Sequence, residues 1–206
     1  MPSKNRVFAG ALLALAIVAG PAAASQSVDL SNPAFAPTTG PTSIPIGAAD
    51  FCKAHRAECG PSASVVEVET LTDTGWQQLV SINDKVNASV LPITDQDLYQ
   101  VTEFWTYPQG QGDCEDYALE KRRQLIARGW DTSALLMTVV RQQNGEGHAV
   151  LMVRTDRGDL VLDNQVGQVL LWNDTSYQFI KRQSQTDSRK WVGIDDTRII
   201  TASATR

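Results

Sequence analysis

The chain has 206 residues, of which 42% are hydrophobic, with 18 Lys and Arg against 23 Asp and Glu and a formal net charge of −5. No basic stripe is present to neutralise phosphates, which excludes nucleic acid as a partner held by charge. Acidic and basic residues are interspersed, so charge alone selects no other partner.

The chain opens like an export signal. Lys4 and Arg6 precede the apolar run Val7 to Gly20, and Ala22-Ala23-Ala24 supplies small residues of the A-x-A type. The run is shorter than the roughly 20 apolar residues of a membrane span. Residues 1–24 are therefore expected to be a cleaved signal peptide, and the protein to be periplasmic. No second transmembrane stretch is visible. Residues 25–49 carry Pro33, Pro37, Pro41 and Pro45 among Ser, Thr and Gly, a composition expected of a linker. The folded domain is then expected to cover residues 50–206, enough for one hydrophobic core.

Cys52 and Cys59 lie seven residues apart, and in an oxidising compartment such a pair is expected to form a disulfide. Cys114 is left over. Two readings are open for it, a buried inert thiol or a reactive one. Gly75 to Ala88 has helical spacing, with Trp76, Leu79, Val80, Asn83, Val86 and Asn87 near one face. Thr94-Asp95-Gln96-Asp97 resembles a capping box and predicts a short helical turn. Tyr107 to Gly112 is a Pro- and Gly-rich loop. It leads into the best helix of the chain, with Asp113 at the N-cap, Cys114 first in the helix and Gly129 as the stop.

Beyond Gly129 the period changes. Ala134 to Arg141, His148 to Thr155, Asp159 to Asp163, Val166 to Trp172, Tyr177 to Gln183 and Trp191 to Ile194 read as antiparallel strands. Helices followed by a strand meander predict an α+β domain.

A cysteine nucleophile works as a thiolate, and the first turn of a helix favours negative charge. Cys114 sits there, behind Gly110 and Gly112. Only two histidines exist. His55 lies in a polar stretch between the paired cysteines and reads as a surface residue. His148 opens an apolar strand, where a lone histidine is more often structural. A tight Thr155 to Gly158 loop would set Arg154 opposite Asp159 and Val150 opposite Asp163. His148 and Asp163 would then be diagonal neighbours on one face, about 7–8 Å apart at the backbone. A one-residue slip would separate them. On this register Cys114 is the nucleophile, His148 the base and Asp163 the group orienting the imidazole.

Asp113, Glu115 and Asp116 crowd Cys114, and like charge disfavours a thiolate. Two readings are open here also. The three are ordinary first-turn residues, or they hold a hard divalent cation through oxygen ligands, as Ca2+ prefers. Zinc has no spare Cys or His to bind.

Gly112-Asp-Cys-Glu-Asp-Tyr-Ala118, Gly147-His-Ala-Val150 and Leu162-Asp-Asn164 together resemble the signature blocks of the bacterial transglutaminase-like cysteine proteinases. Val86-Asn87, Thr94-Asp95, Tyr99 and Trp105 are also similar, and the resemblance spans roughly residues 51–194. It implies a transglutaminase- or papain-like core and a Cys-His-Asp peptidase working through a thioester. It also implies Ca2+ held by Asp113 and Glu115, with Asp116 a weaker ligand. Understood relatives are periplasmic proteases that clip large surface adhesins and are sequestered by a membrane-bound cyclic-di-GMP receptor. Nothing ties the Cys52 and Cys59 pair or the Pro-rich leader to the adhesin-clipping members. Acyl transfer to an amine uses the same triad, and a non-catalytic Ca2+-dependent binding module would lack one of its members.

Overall fold

The computed structural model describes residues 28–198. The expected signal peptide, residues 1–24, lies outside the described residues. Among the described residues no helix is long and apolar enough to cross a membrane.

The architecture is α+β. Strands β1 (Thr38–Thr42), β4 (Leu135–Arg141), β5 (Gly147–Thr155), β6 (Gly158–Leu162), β7 (Leu170–Leu171), β8 (Gln178–Gln183) and β9 (Trp191–Ile194) form one antiparallel sheet. Their order is β1-β9-β8-β4-β5-β6-β7. Helices α1 (Ile46–Ala54), α2 (Asp73–Ser89), α3 (Asp95–Tyr99) and α4 (Cys114–Ile126) precede most of it, and β2 (Leu91–Pro92) pairs with β3 (Gln111–Gly112) outside it.

β4 and β5 are apolar runs without a polar alternation because both sheet faces are covered. Leu135, Met137, Leu151 and Val153 enter the core under α2 and α4, with Leu79, Ile82, Val86 and Leu125. Leu136, Val140, Val150, Met152 and Phe179 face a second cluster on the opposite side, closed by Trp172, Ile194 and Ala36. α4 is packed by α2 on one side and β5 on the other. Even its charged residues Glu115, Asp116, Lys121 and Arg122 are therefore buried.

Residues 25–49 were expected to be a linker. From Ala34 onward that segment is instead part of the fold. The Ala36 N–H donates to the fully buried Asp159 carboxylate at 2.8 Å, and the Asp159 N–H donates to the Ala34 carbonyl. Pro41 sits in β1, an edge strand, where a missing N–H disrupts no ladder. Gly158, at φ +109°, lets Ala34 approach so closely that a Cβ would meet its backbone at 2.6 Å. The proline content was real, but its edge position lets the segment pair.

The expected strand Val166 to Trp172 is shorter. Only Leu170 and Leu171 pair, and Trp172–Asp174 form a 3-10 turn. Asp163 to Gly167 is held by α2 instead of by a neighbouring strand. Asn87 Nδ2 donates to the Asp163 carbonyl at 2.8 Å and Asn83 Nδ2 to the Gly167 carbonyl at 2.7 Å.

Cys52 and Cys59 are joined by a disulfide, with Cα atoms 5.5 Å apart, and Cys114 is free.

Candidate active site

Three elements converge at one end of the sheet. α4 presents Cys114 at its first residue, β5 presents His148 at its start, and Asp163 follows the last residue of β6. Arg154 pairs with Asp159 and Leu151 with Leu162, the register expected from the tight loop. His148 Nε2 lies 2.8 Å from Asp163 Oδ1, and both side chains are almost fully buried. The Ala149 N–H, one residue beyond His148, points at Cys114 Sγ at 3.4 Å. The thiol of Cys114 donates to Glu115 Oε2 at 3.1 Å.

The Asp163 carboxylate is heavily hydrogen-bonded. Oδ1 also accepts the Gln165 N–H at 3.1 Å, and Oδ2 accepts the Tyr177 hydroxyl at 2.5 Å. Burial pushes its pKa up, but the His148 and Tyr177 contacts outweigh burial and leave it below the ordinary value. Gln165 Nε2 lies 3.4 Å from His148 Nδ1. Tyr177 and Gln165 carry no chain signal that ties them to Asp163. Tyr177 immediately precedes β8 and meets Asp163 only through the tertiary fold, with its ring 5.3 Å from that of His148.

The second feature is a carboxylate cluster at the start of α4. Asp113 occupies the expected N-cap position, yet its side chain makes no capping bond. Its Oδ2 accepts the Asp95 N–H at 3.2 Å instead. Oxygen atoms of Asp95, Asp113 and Asp116 lie within 4.8 Å of one another, and Asp113, Cys114 and Glu115 form an overlapping group. Asp95 was missing from the sequence-based ligand set. Its place in a capping-box segment hid it, since Thr94 is the cap and Asp95 turns inward to accept the Phe104 N–H.

Asp116 is fully buried; Oδ1 accepts the Thr106 N–H at 2.9 Å, while among the described residues Oδ2 has no donor, and neither does Asp113 Oδ1. A Cβ on Gly112 would stand 2.5 Å from Asp116 Oδ2, so glycine is required there for close approach. Burial, then the charges of Asp113 and Asp95, push Asp116 up to about 7 against the help of the Thr106 N–H. Burial and Asp113 push Glu115 up to about 9. Burial and Glu115 together hold the Cys114 thiol well above its ordinary value. Converging, buried, donor-poor carboxylate oxygens are the donor set of a hard cation.

His55 is half-exposed, stacked on Phe51 at 4.4 Å and paired with Glu58, away from this site.

A peptidase with a helix-borne cysteine on an antiparallel sheet is the class these features define. The chain belongs to the bacterial transglutaminase-like cysteine proteinase family, whose model matches residues 38–199. It is a cysteine peptidase, and its substrates are proteins. Among solved structures it is similar to calcium-bound LapG of Legionella pneumophila, at 21% identity over 62% of this chain and 72% of that one, with a TM-score of 0.48. EGTA-treated LapG of the same organism is 22% identical over 59% and 72%, with a TM-score of 0.48. A third LapG structure is 23% identical over 59% and 70%, with a TM-score of 0.49. No curated protein matches the chain.

Proposed function

We propose that the protein is an exported, Ca2+-dependent cysteine endopeptidase with Cys114 as nucleophile, His148 as base and Asp163 as the orienting carboxylate. The observation that carries this reading is the buried His148–Asp163 pair at 2.8 Å, set beside a free cysteine at the first residue of a helix.

In this reading Asp163 accepts from His148 Nε2 and leaves Nδ1 as the atom that takes the Cys114 proton. The Cys114 sulfur adds to the substrate carbonyl, and its own N–H at the start of α4 stabilises the oxyanion. One such donor is worth about 2.7–4 kcal/mol. His148 then gives the proton to the departing amine, leaving a thioester that water resolves with the imidazole again as base. Gln165 must leave His148 Nδ1 before the proton can move.

Asp95, Asp113 and Asp116, with Glu115, are the residues proposed to hold Ca2+. A bound cation supplies positive charge that offsets the carboxylates disfavouring a thiolate at Cys114. The Cys52–Cys59 disulfide and the expected signal peptide support a periplasmic location. The substrate proposed for the first test is a large exported surface adhesin, and the proposed regulator is a membrane-bound cyclic-di-GMP receptor that sequesters the enzyme; the family resemblance supports both.

The test is incubation of the mature protein with adhesin fragments, with Ca2+ or with a chelator, and mass analysis of the products. Cleavage that needs Ca2+ and disappears in Cys114→Ala is expected. Cleavage by Cys114→Ala would refute the nucleophile. A product joined to an added amine would make the enzyme an acyl transferase.

A further inference from the structure

A cavity of about 460 Å3 opens between the disulfide-bonded segment, the C-terminal half of α4 and the turn that joins β8 to β9. That volume falls in the range of about 300–1,000 Å3 typical of small-molecule sites. Ala57, Pro61 and Ile126 contribute apolar wall, and Ser62, Gln183 and Ser188 contribute polar wall. Arg122 also lines it, about 12 Å beyond Cys114 along α4. The cavity therefore stands apart from the catalytic end of the sheet.

The polar wall groups are committed to the protein itself. Ser62 Oγ donates to the Gln185 carbonyl at 2.6 Å, and Ser188 Oγ accepts the Gly60 N–H at 3.0 Å. Gln183 accepts the Met137 N–H and donates to the Ser188 carbonyl, both at 3.0 Å. Arg122 is not committed in this way. It is only 7% exposed, and among the described residues its one hydrogen bond runs from Nε to the Leu135 carbonyl at 3.0 Å. It forms no ion pair among the described residues. The N–H groups on Nη1 and Nη2 therefore remain for a ligand. Burial lowers the Arg122 pKa, yet a guanidinium stays charged at physiological pH. The carboxylates around it are already engaged. Glu58, on the same wall, accepts the Tyr107 hydroxyl and lies 3.5 Å from His55 Nδ1. Glu120 holds the neighbouring Arg123 through both oxygens, at 2.7 and 2.8 Å. A buried cation without an acid to pair with is costly, and a cavity beside it gives an anion access.

We infer that this cavity is a second ligand site, one that takes a monocarboxylate with a short apolar body and holds its carboxylate on Arg122. The planar fork of a guanidinium matches a carboxylate through two parallel N–H bonds. Those bonds gain strength where water is excluded. The ligand carries a single charge, because the wall offers one uncommitted cation and also the Glu58 carboxylate, which repels a dianion such as phosphate. Ala57, Pro61 and Ile126 cover the apolar body. Two sources offer this chemistry, a free small acid and the C-terminal carboxylate of a peptide ending in an apolar residue. The inference does not rest on the triad proposed above.

The test uses the full mature protein carrying Cys114→Ala, so that a peptide probe is not consumed. Hexanoate and acetyl-alanyl-leucine with a free C-terminus are titrated in, followed by calorimetry and by NMR of the backbone amides. Hexanamide, the C-terminally amidated peptide and inorganic phosphate are the controls. At least one carboxylate is expected to bind saturably and to shift the amide signals of Ala57, Ser62 and Ser188. The amides and phosphate are expected to bind at least about tenfold more weakly, the loss of a charge-assisted pair. The tighter carboxylate identifies the source, free acid or peptide terminus. Arg122→Gln should weaken binding by about tenfold or more. If that variant does not fold, Ala57→Trp, a change at an exposed position of the wall, should block the same probes. The inference is overturned if neither carboxylate moves those signals, if an amide or phosphate binds as tightly, or if binding survives unchanged in the folded variant. A probe that moves only the Ala149 amide, which points at residue 114, is held by the catalytic cleft and overturns it as well.

Discussion

Asp116→Asn should make the metal-free protein more stable and the Ca2+-supplied protein inactive. The amide keeps Oδ1 as acceptor for the Thr106 N–H. It also places two N–H donors where Oδ2 has none among the described residues, beside Asp113 Oδ1, which lacks a donor there as well. The magnitude follows from Asp116 being pushed from 3.8 to about 7. About three pH units at roughly 1.36 kcal/mol each is about 4 kcal/mol. Relaxation of the cluster makes about 2–4 kcal/mol a fair expectation. For a chain of this size that is roughly 5–15 °C in melting temperature. The sign follows from the direction of the displacement. A carboxyl with a raised folded-state pKa contributes stability below its unfolded value, and loses it as pH rises through the folded value. The gap between variant and wild type in chelator should therefore open from about pH 4 and level off above about 7. The assay is thermal denaturation in EGTA and in millimolar Ca2+ across that range. Ca2+ should raise the wild-type melting temperature through mass action and should do little for the variant. A variant no more stable than the wild type in EGTA at pH 8 would refute the reasoning about mutual repulsion. Equal stabilisation of both proteins by Ca2+ would refute the assignment of Asp116 as a ligand.

Tyr177→Phe removes one hydrogen bond from the Asp163 carboxylate and should lower kcat about tenfold, the effect of about 1.4 kcal/mol; a wild-type rate at saturating substrate would show the contact to be idle. His148→Ala should abolish hydrolysis, while His55→Ala, a change at a half-exposed ring, should retain it; equal loss in both would undo the distinction between them. Replacing Cys52 and Cys59 together by Ser should lower stability by about 2–3 kcal/mol for so short a loop, read by urea denaturation. No change in the urea midpoint would mean that the bridge constrains the unfolded chain little.

Much of this molecule was legible in the chain because the signals were local. The helix beginning at Cys114 follows from a Gly-rich loop, a cap position and a period. The His148–Asp163 pair followed from one tight turn, since pairing alternates with period two once a hairpin is closed. The disulfide followed from compartment and spacing. What the chain concealed lies in contacts between distant segments. The N-terminal prolines read as a linker until β9 and Asp159 supplied partners. Asp95 read as part of a helical turn until its carboxylate met Asp113 and Asp116. Tyr177 read as a strand residue until the sheet brought its hydroxyl to Asp163. In each case the residue type was visible, but its partner lay tens of residues away in sequence. Burial decides its chemistry, because removing water turns the identity of the nearest charge into the largest influence on it.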